Sequence, residues 1–371
     1  MATMGKVNYK NSLLNFSSSL MKYYGLVSEY PTHALTDYLL SKKYRHVAVI
    51  LLDGMGYQVV EDDLENGSIL KTHQVMKINS VFPPTTSAAT TALLTGKAPI
   101  ETGWLGWHLY LKENDPSLIL FKNKEYYTDK EFTDYKVKDV LPYTPFYNQL
   151  KRAKGYYIGP SWSENPCNDF HEATTKLKEI INKDEANFTY LYWDDPDKTM
   201  HEYGTTSSIT KVELRKLESE ILSLSEELPD STIIFVLADH GHLDIEPIEI
   251  KKHPAFMDTL RKPMSGEGRF TQFYLKEGKE EEFKNYFKEH FSEYFDLYTR
   301  KEIIDSKICG LFEPNPNINI LLGDYCAVAK DVYFFVDHID ENTFKSGHAG
   351  LTKEELEIPV ILLKRKDEKE E

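Results

Sequence analysis

Residues 45–56 read RHVAVILLDGMG, an unbroken apolar run that stops at a carboxylate followed by glycine. The run is too short for a helix and rich in Val, Ile and Leu, the pattern of a strand buried on both faces of a parallel sheet. Two further stretches share this form: FTYLYWDD at 188–195 and STIIFVLADHGH at 231–242, each ending in acidic residues or histidine. A last apolar run, 358–363, follows GHAGLTKEELE and is a candidate fourth strand.

Helical patterns lie between these runs. Ile209, Val212, Leu217, Ile221, Leu224 and Leu228 fall mostly three or four apart, which predicts an amphipathic helix over 209–228 covering a sheet. Residues 87–94 are rich in Ala, Thr and Leu with Gly96 just beyond, predicting a short helix with a glycine stop. Alternating strands and helices imply an α/β fold, a mainly parallel central sheet sandwiched by helices, with ligands gathered at the carboxyl ends of the strands. The rhythm breaks at 246–336. There, 268–275 reads as a strand and 280–295 as an amphipathic helix carrying Phe283, Phe287, Phe291 and Phe295 in an i, i+4 row, a pattern of packing rather than of ligand binding. The expected organisation is a core at 1–245 and 337–371 with a small α+β cap insertion at 246–336. Arg269 and Lys262, near the start of the insertion, are candidate anion contacts, with solvated surface charge as the blander reading. The charged tail, 364–371, is expected to fray.

With 371 residues, 41% hydrophobic and 28% charged, the chain can bury a large core, so disorder as the main state is excluded. A formal net charge of -15 lacks the basic footprint of a nucleic-acid binder. Any bound phosphate therefore needs a local source of positive charge. Cys167, Cys309 and Cys326 have no C-x-x-C spacing, which argues against a disulfide framework or thiolate zinc site and for a reducing compartment. The longest apolar run, 46–52, is far short of the ~20 residues that span a bilayer, so no membrane association and a cytoplasmic location are expected. The oligomeric state is not legible.

Four polar motifs stand at or beyond strand ends: Asp53 in LLDGMG, Asp197 and His201 in DPDKTMHEYG, Asp239 and His240 in LADHGH, and His348 in SGHAG. Each alone reads as a cap or loop residue. Three carboxylates and three imidazoles on one sheet edge, however, repel and desolvate one another unless cations sit among them, and two divalent ions resolve that cost. Mixed imidazole and carboxylate without thiolate suits zinc first, with manganese or iron as alternatives. In NSVFPPTTSAATTALLTGKAP, 79–99, Thr85 and Thr86 stand at the start of the short helix. Either is an N-cap on the bland reading. Beside a divalent ion, either hydroxyl could instead ionise and attack phosphorus. Trp104, Trp107 and His108 in GWLGWHLY are candidate pocket residues, with core packing an equal alternative for the tryptophans. His242 reads as a supporting or structural residue.

The order DG, TTSAATTALLTG, D-x-x-x-H, DHG and GH-x-G resembles the alkaline phosphatase superfamily, and most closely its type I phosphodiesterase/nucleotide pyrophosphatase branch. The resemblance implies a phosphoesterase with two zinc ions. Asp53, Asp239 and His240 would hold the ion that also binds Thr86, the nucleophile that becomes phosphothreonine. Asp197, His201 and His348 would hold the other. The substrate implied is a small phosphodiester or nucleotide pyrophosphate. Two positions depart from the branch: Ser87 stands where an aromatic residue usually stacks a base, and Trp107 where an Asn usually donates to phosphate. Trp107 and His108 are then the candidate substrate contacts. A phosphomonoesterase or phosphomutase on the same scaffold is the nearest alternative, and a non-catalytic metal-bound binding protein a more distant one. A sulfatase is disfavoured because the x-P-x-R that follows its nucleophile is missing.

Overall fold

The strand His46–Leu52 is buried along its whole length, and since alternate side chains face opposite ways, both faces of the sheet around it are covered. In the computed structural model, which describes residues 6–365, it lies at the centre of a seven-stranded sheet. The spatial order is Gln74–Asn79, Glu357–Leu363, Thr232–Leu237, His46–Leu52, Asn187–Trp193, Lys154–Gly159 and Asn165–Pro166. His46–Leu52 pairs in parallel with both Asn187–Trp193 and Thr232–Leu237. The register sets Leu52 beside Trp193 and Leu51 beside Leu237, so the three runs end side by side and their polar sequels emerge at one edge.

The expected α/β fold with a mainly parallel sheet is present, with one reversal. Glu357–Leu363 runs antiparallel to both of its neighbours, which makes the sheet mixed. The sequence reading did not anticipate the strands Gln74–Asn79 and Lys154–Gly159, whose residues are half-exposed and polar or tyrosine-rich. The helix expected at 209–228 is Ser208–Glu226, but its buried face is Thr210, Leu214, Leu217, Ile221 and Leu224. Ile209 and Val212 are instead exposed, at 47% and 50%, because the helix is rotated to seat Thr210 against the Gly204 carbonyl. On the sheet, Phe16 of the helix Leu13–Tyr23 meets Phe235 edge-on at 5.2 Å, and Ser17 of the same helix donates to the Leu93 carbonyl at 2.6 Å, seating the helix Thr86–Thr95.

A second, wholly antiparallel sheet of seven strands draws on two separate stretches of chain. Its order is Phe295–Thr299, Tyr325–Ala329, Phe270–Leu275, Leu260–Glu267, His108–Leu109, Leu118–Ile119 and Lys124–Glu125. The aromatic row is packing, as expected: Phe283, Phe287, Phe291 and Phe295 are buried with Phe256, Phe273 and Phe335 in a core of their own. The helix ends at His290, however, and Phe295 opens a strand, stacking on Phe335 at 3.8 Å. Cys167, Cys309 and Cys326 are buried free thiols. Among the described residues no helix is long and apolar enough to cross a membrane. Of the charged tail, residues 366–371 lie outside the described residues.

Candidate metal centre

Asp53 is the first residue beyond its strand, and Asp239 lies two residues beyond Thr232–Leu237, so the sheet register brings them together. Gly54 turns the chain at φ +71°, and a Cβ there would come within 2.9 Å of both His242 and Asp197, so only glycine fits. Its amide donates to Asp239 Oδ1 at 3.1 Å. Asp197 begins the helix Asp197–Tyr203, which puts His201 one turn on, on the same face. His348 follows the short strand Ser346–Gly347, paired with Leu243–Asp244. Thr86 is the first residue of Thr86–Thr95, and Gly96 ends that helix in the left-handed conformation, as expected.

Two interlocking groups result. Asp197, His201, His242 and His348 form one, and Asp53, Asp197 and His240 the other, with ligand atoms in each within 4.8 Å of one another. Asp239 joins the second group, with His240 Nε2 3.6 Å from its Oδ2. The His240 and His348 rings stack at 3.8 Å. Thr86 Oγ1 lies 3.3 Å from both Asp53 carboxylate oxygens and 3.2 Å from His240 Nε2.

Every imidazole has the same orientation. Nδ1 of His201, His240 and His348 faces the carbonyls of Ser346, Gly241 and Pro84 at 2.8, 3.1 and 3.1 Å. A carbonyl only accepts, so Nδ1 carries a proton and Nε2 is the nitrogen turned inward, the arrangement of a metal-ligating histidine. His242 Nδ1 donates to Ser346 Oγ, whose own proton goes to the Met200 carbonyl. Burial pushes the His242 imidazole down to about 4, and its Nε2 lies at hydrogen-bond distance, 2.6 Å, from Asp197 Oδ1. Asp239 Oδ2 is buried without a hydrogen-bond partner, a sign that this cluster is built to receive a cation. The donor set present, imidazole with carboxylate, thus fits divalent ions such as zinc.

The carboxylates behave as metal-free neighbours should. Burial, and then the charge of Asp197, raise Asp53 well above the usual carboxylate range, although the Tyr192 hydroxyl donates to it. Burial and the adjacent Asp53 raise Asp239. Burial alone would raise Asp197 too, but His201, His242 and His348 turn on it and hold its carboxyl well below that range. Burial and the stacked His240 lower His348.

A cavity of about 510 Å³ opens over the cluster, lined among others by Thr86, Trp107, His108, Tyr126, Glu267 and Phe344. Trp107 and His108 thus reach it. Trp104 does not; it is buried and donates through Nε1 to the Leu141 carbonyl. His108 is itself largely buried, stacked on Tyr126 at 3.5 Å and bonded to Ser117, and burial lowers its imidazole to about 3, so it offers no positive charge. Ser87 turns away from the cavity, donating to the Gly106 carbonyl at 2.6 Å. Glu267, which no sequence motif marked, takes a hydrogen bond from Thr85 Oγ1 at 2.5 Å, so Thr85 is spent here rather than on capping its helix. Neither basic residue proposed as an anion contact or surface charge is either of those in simple form. Arg269 is fully buried and paired with Glu355, and Lys262 is flanked by the rings of Tyr110 and Tyr274 at 4.1 and 4.6 Å. Lys262 borders a more open recess of about 540 Å³ that shares no residue with the metal cluster.

The family model described as type I phosphodiesterase / nucleotide pyrophosphatase matches residues 47–308. The chain belongs to the type I phosphodiesterase / nucleotide pyrophosphatase family. It is accordingly a hydrolase acting on phosphate esters. Solved structures share the fold at low identity. Murine ectonucleotide pyrophosphatase / phosphodiesterase 5 is 18% identical with a TM-score of 0.66, covering 86% of this chain and 87% of that one. An inactive variant of the same murine protein, in complex with AMP, is 17% identical with a TM-score of 0.65, over 86% and 87% of the two chains. Phosphonoacetate hydrolase from Sinorhizobium meliloti 1021, in complex with phosphonoformate, is 16% identical with a TM-score of 0.62, over 88% of this chain and 91% of that one. The comparison with curated proteins returns no match.

Proposed function

We propose that this family member hydrolyses a phosphodiester or a nucleotide-like pyrophosphate through a phosphothreonine intermediate on Thr86, with two divalent ions, zinc first among them. The observation that carries the reading is Thr86 Oγ1 at 3.2–3.3 Å from His240 Nε2 and the Asp53 carboxylate, inside a cluster whose imidazole Nε2 atoms face inward. Asp53, Asp239 and His240 would hold one ion and Asp197, His201 and His348 the other, with His242 against Asp197. Bound there, the ions supply Lewis-acid stabilisation of the charge that develops on the attacking and leaving oxygens.

The chain's own groups do the rest. The Thr86 proton leaves Oγ1 toward the Asp53 carboxylate, and the bared oxygen, at the positive end of its helix, attacks phosphorus in line. The Oγ1–P bond forms as the P–O bond to the leaving group breaks, and the departing oxyanion takes a proton from solvent. Water then attacks the phosphothreonine, which still carries the second ester substituent, breaking the Oγ1–P bond and releasing a phosphate monoester, while Oγ1 recovers the proton held by Asp53. Trp107 and Tyr126, on the cavity wall, offer ring faces to the substituent on phosphate, a role Ser87 cannot fill from its buried position.

Side-by-side kcat/KM on a bis-aryl and a mono-aryl phosphate tests the substrate class. Preference for the diester is expected; preference for the monoester would favour a phosphomonoesterase on the same scaffold. Denaturing acid quench during turnover of the bis-aryl phosphate should leave an aryl phosphoryl group on the peptide containing Thr86.

A further inference from the structure

Outside the metal cluster, one arginine–carboxylate pair is wholly buried. Arg269 and Glu355 are both inaccessible to solvent and meet through two bonds, Nε to Oε1 at 2.6 Å and Nη2 to Oε2 at 3.0 Å. The other guanidinium bonds go to the segment just after the strand Tyr325–Ala329: Nη1 donates to the Tyr333 carbonyl at 2.6 Å and Nη2 to the Asp331 carbonyl at 2.8 Å. Glu355 reaches the opposite way. Its Oε1 takes the Gly350 amide at 2.6 Å, and its Oε2 takes the amide and hydroxyl of Thr352 at 3.0 and 2.7 Å.

Those anchors end two residues from His348. Between them stands Ala349, fully buried at φ +89°, a conformation an L-residue holds only where its surroundings force it. On the other side, the Glu355 carbonyl accepts the Gly241 amide at 2.8 Å, directly between His240 and His242. The loops are in such close contact that a Cβ on Gly241 would lie 1.9 Å from the Glu354 carbonyl oxygen. One buried carboxylic residue thus touches the loops that carry three of the four inward-facing imidazoles, and one guanidinium ties it to the wall of the substrate cavity.

We infer that Arg269 and Glu355 are a positioning pair, which holds the His348 turn in its strained conformation and the DHG loop in register, so that the imidazoles converge on ions without having to be drawn in. The inference rests on the metal reading given above. A buried pair of this kind adds little net stability over apolar side chains of similar volume, whereas its loss leaves the strained turn without its anchor. Outer partners of metal ligands commonly change ion affinity by about 10- to 100-fold.

The test is zinc titration of the metal-free protein against a competing chromogenic chelator, with kcat and KM measured on a bis-aryl phosphate. Arg269→Met combined with Glu355→Leu should retain the fold by circular dichroism, bind zinc about 10- to 100-fold more weakly, and lower kcat with little change in KM. Arg269→Lys keeps the buried charge partnered and should show a smaller loss in the same direction; it decides the matter if the double variant does not fold. Wild-type zinc affinity in either folded variant would overturn the inference. His348→Ala serves as the reference: loss of one bound ion leaves the metal reading intact, and a full complement of ions would overturn that reading and this inference with it.

Discussion

Thr86 Oγ1 sits 3.2 Å from Nε2 of His240, a hydroxyl facing an imidazole whose Nδ1 is committed to the Gly241 carbonyl. This contact couples the first turn of the helix Thr86–Thr95 to the loop after Thr232–Leu237. Thr86→Ala should lower turnover of a bis-aryl phosphate by about 10³-fold or more, while metal content and thermal stability remain near wild type. Turnover close to wild type would remove Thr86 from the chemistry.

Asp239 offers a sharper test of ion number. Its Oδ1 is satisfied by the amides of Gly54 and His240, and its Oδ2 has no hydrogen-bond partner. Asp239→Asn should keep the amide contacts and lose one of two ions, read by elemental analysis after gel filtration. Chelation of both ions should abolish activity, and re-addition of zinc at about 100 times its Kd should restore activity and about 2.7 kcal/mol of stability for each site filled. A thermal midpoint independent of zinc would contradict this.

Glu267 gives a pH signature. Burial pushes its carboxyl up to about 7 from an ordinary 4.5, against the bond from Thr85. The folded chain therefore keeps a proton that the unfolded chain releases between these values. Its contribution is neutral below 4.5, becomes destabilising as pH rises through the window, and is complete above about 7. In metal-free protein, Glu267→Gln should raise the thermal midpoint relative to wild type by an amount that grows over that window and then levels off. A difference independent of pH would refute the assignment.

Trp107 tests the cavity wall. Trp107→Ala removes a ring from the lining and should raise KM for an aryl diester several-fold with kcat largely preserved. Equal losses in both parameters would instead mean that the ring supports the helix Thr86–Thr95.

Much of this architecture was legible because it is carried by short-range pattern. The apolar runs ending at Leu52, Trp193 and Leu237 identify central strands, and their common ending follows from parallel pairing. Edge strands such as Gln74–Asn79 have no such run, because half their surface faces water. At the site, Asp53, Asp197, His201, Asp239, His240 and His348 follow strand ends or glycine turns, and those signals brought them to notice together. His242 carried the same alternation in DHGH, but its role depends on the proton committed to Ser346, which lies 104 residues away. Glu267 and the burial of Arg269 had no local signal at all, since both depend on partners contributed by distant turns.

The second sheet has an engineering consequence. Because His108–Leu109, Leu118–Ile119 and Lys124–Glu125 hydrogen-bond in one ladder with strands some 150 residues later in the chain, the roof over the reaction chamber is woven from two threads. A graft that exchanges only the later thread with a relative would leave an open ladder at His108. Chimeras intended to redirect substrate choice must therefore transplant both threads together.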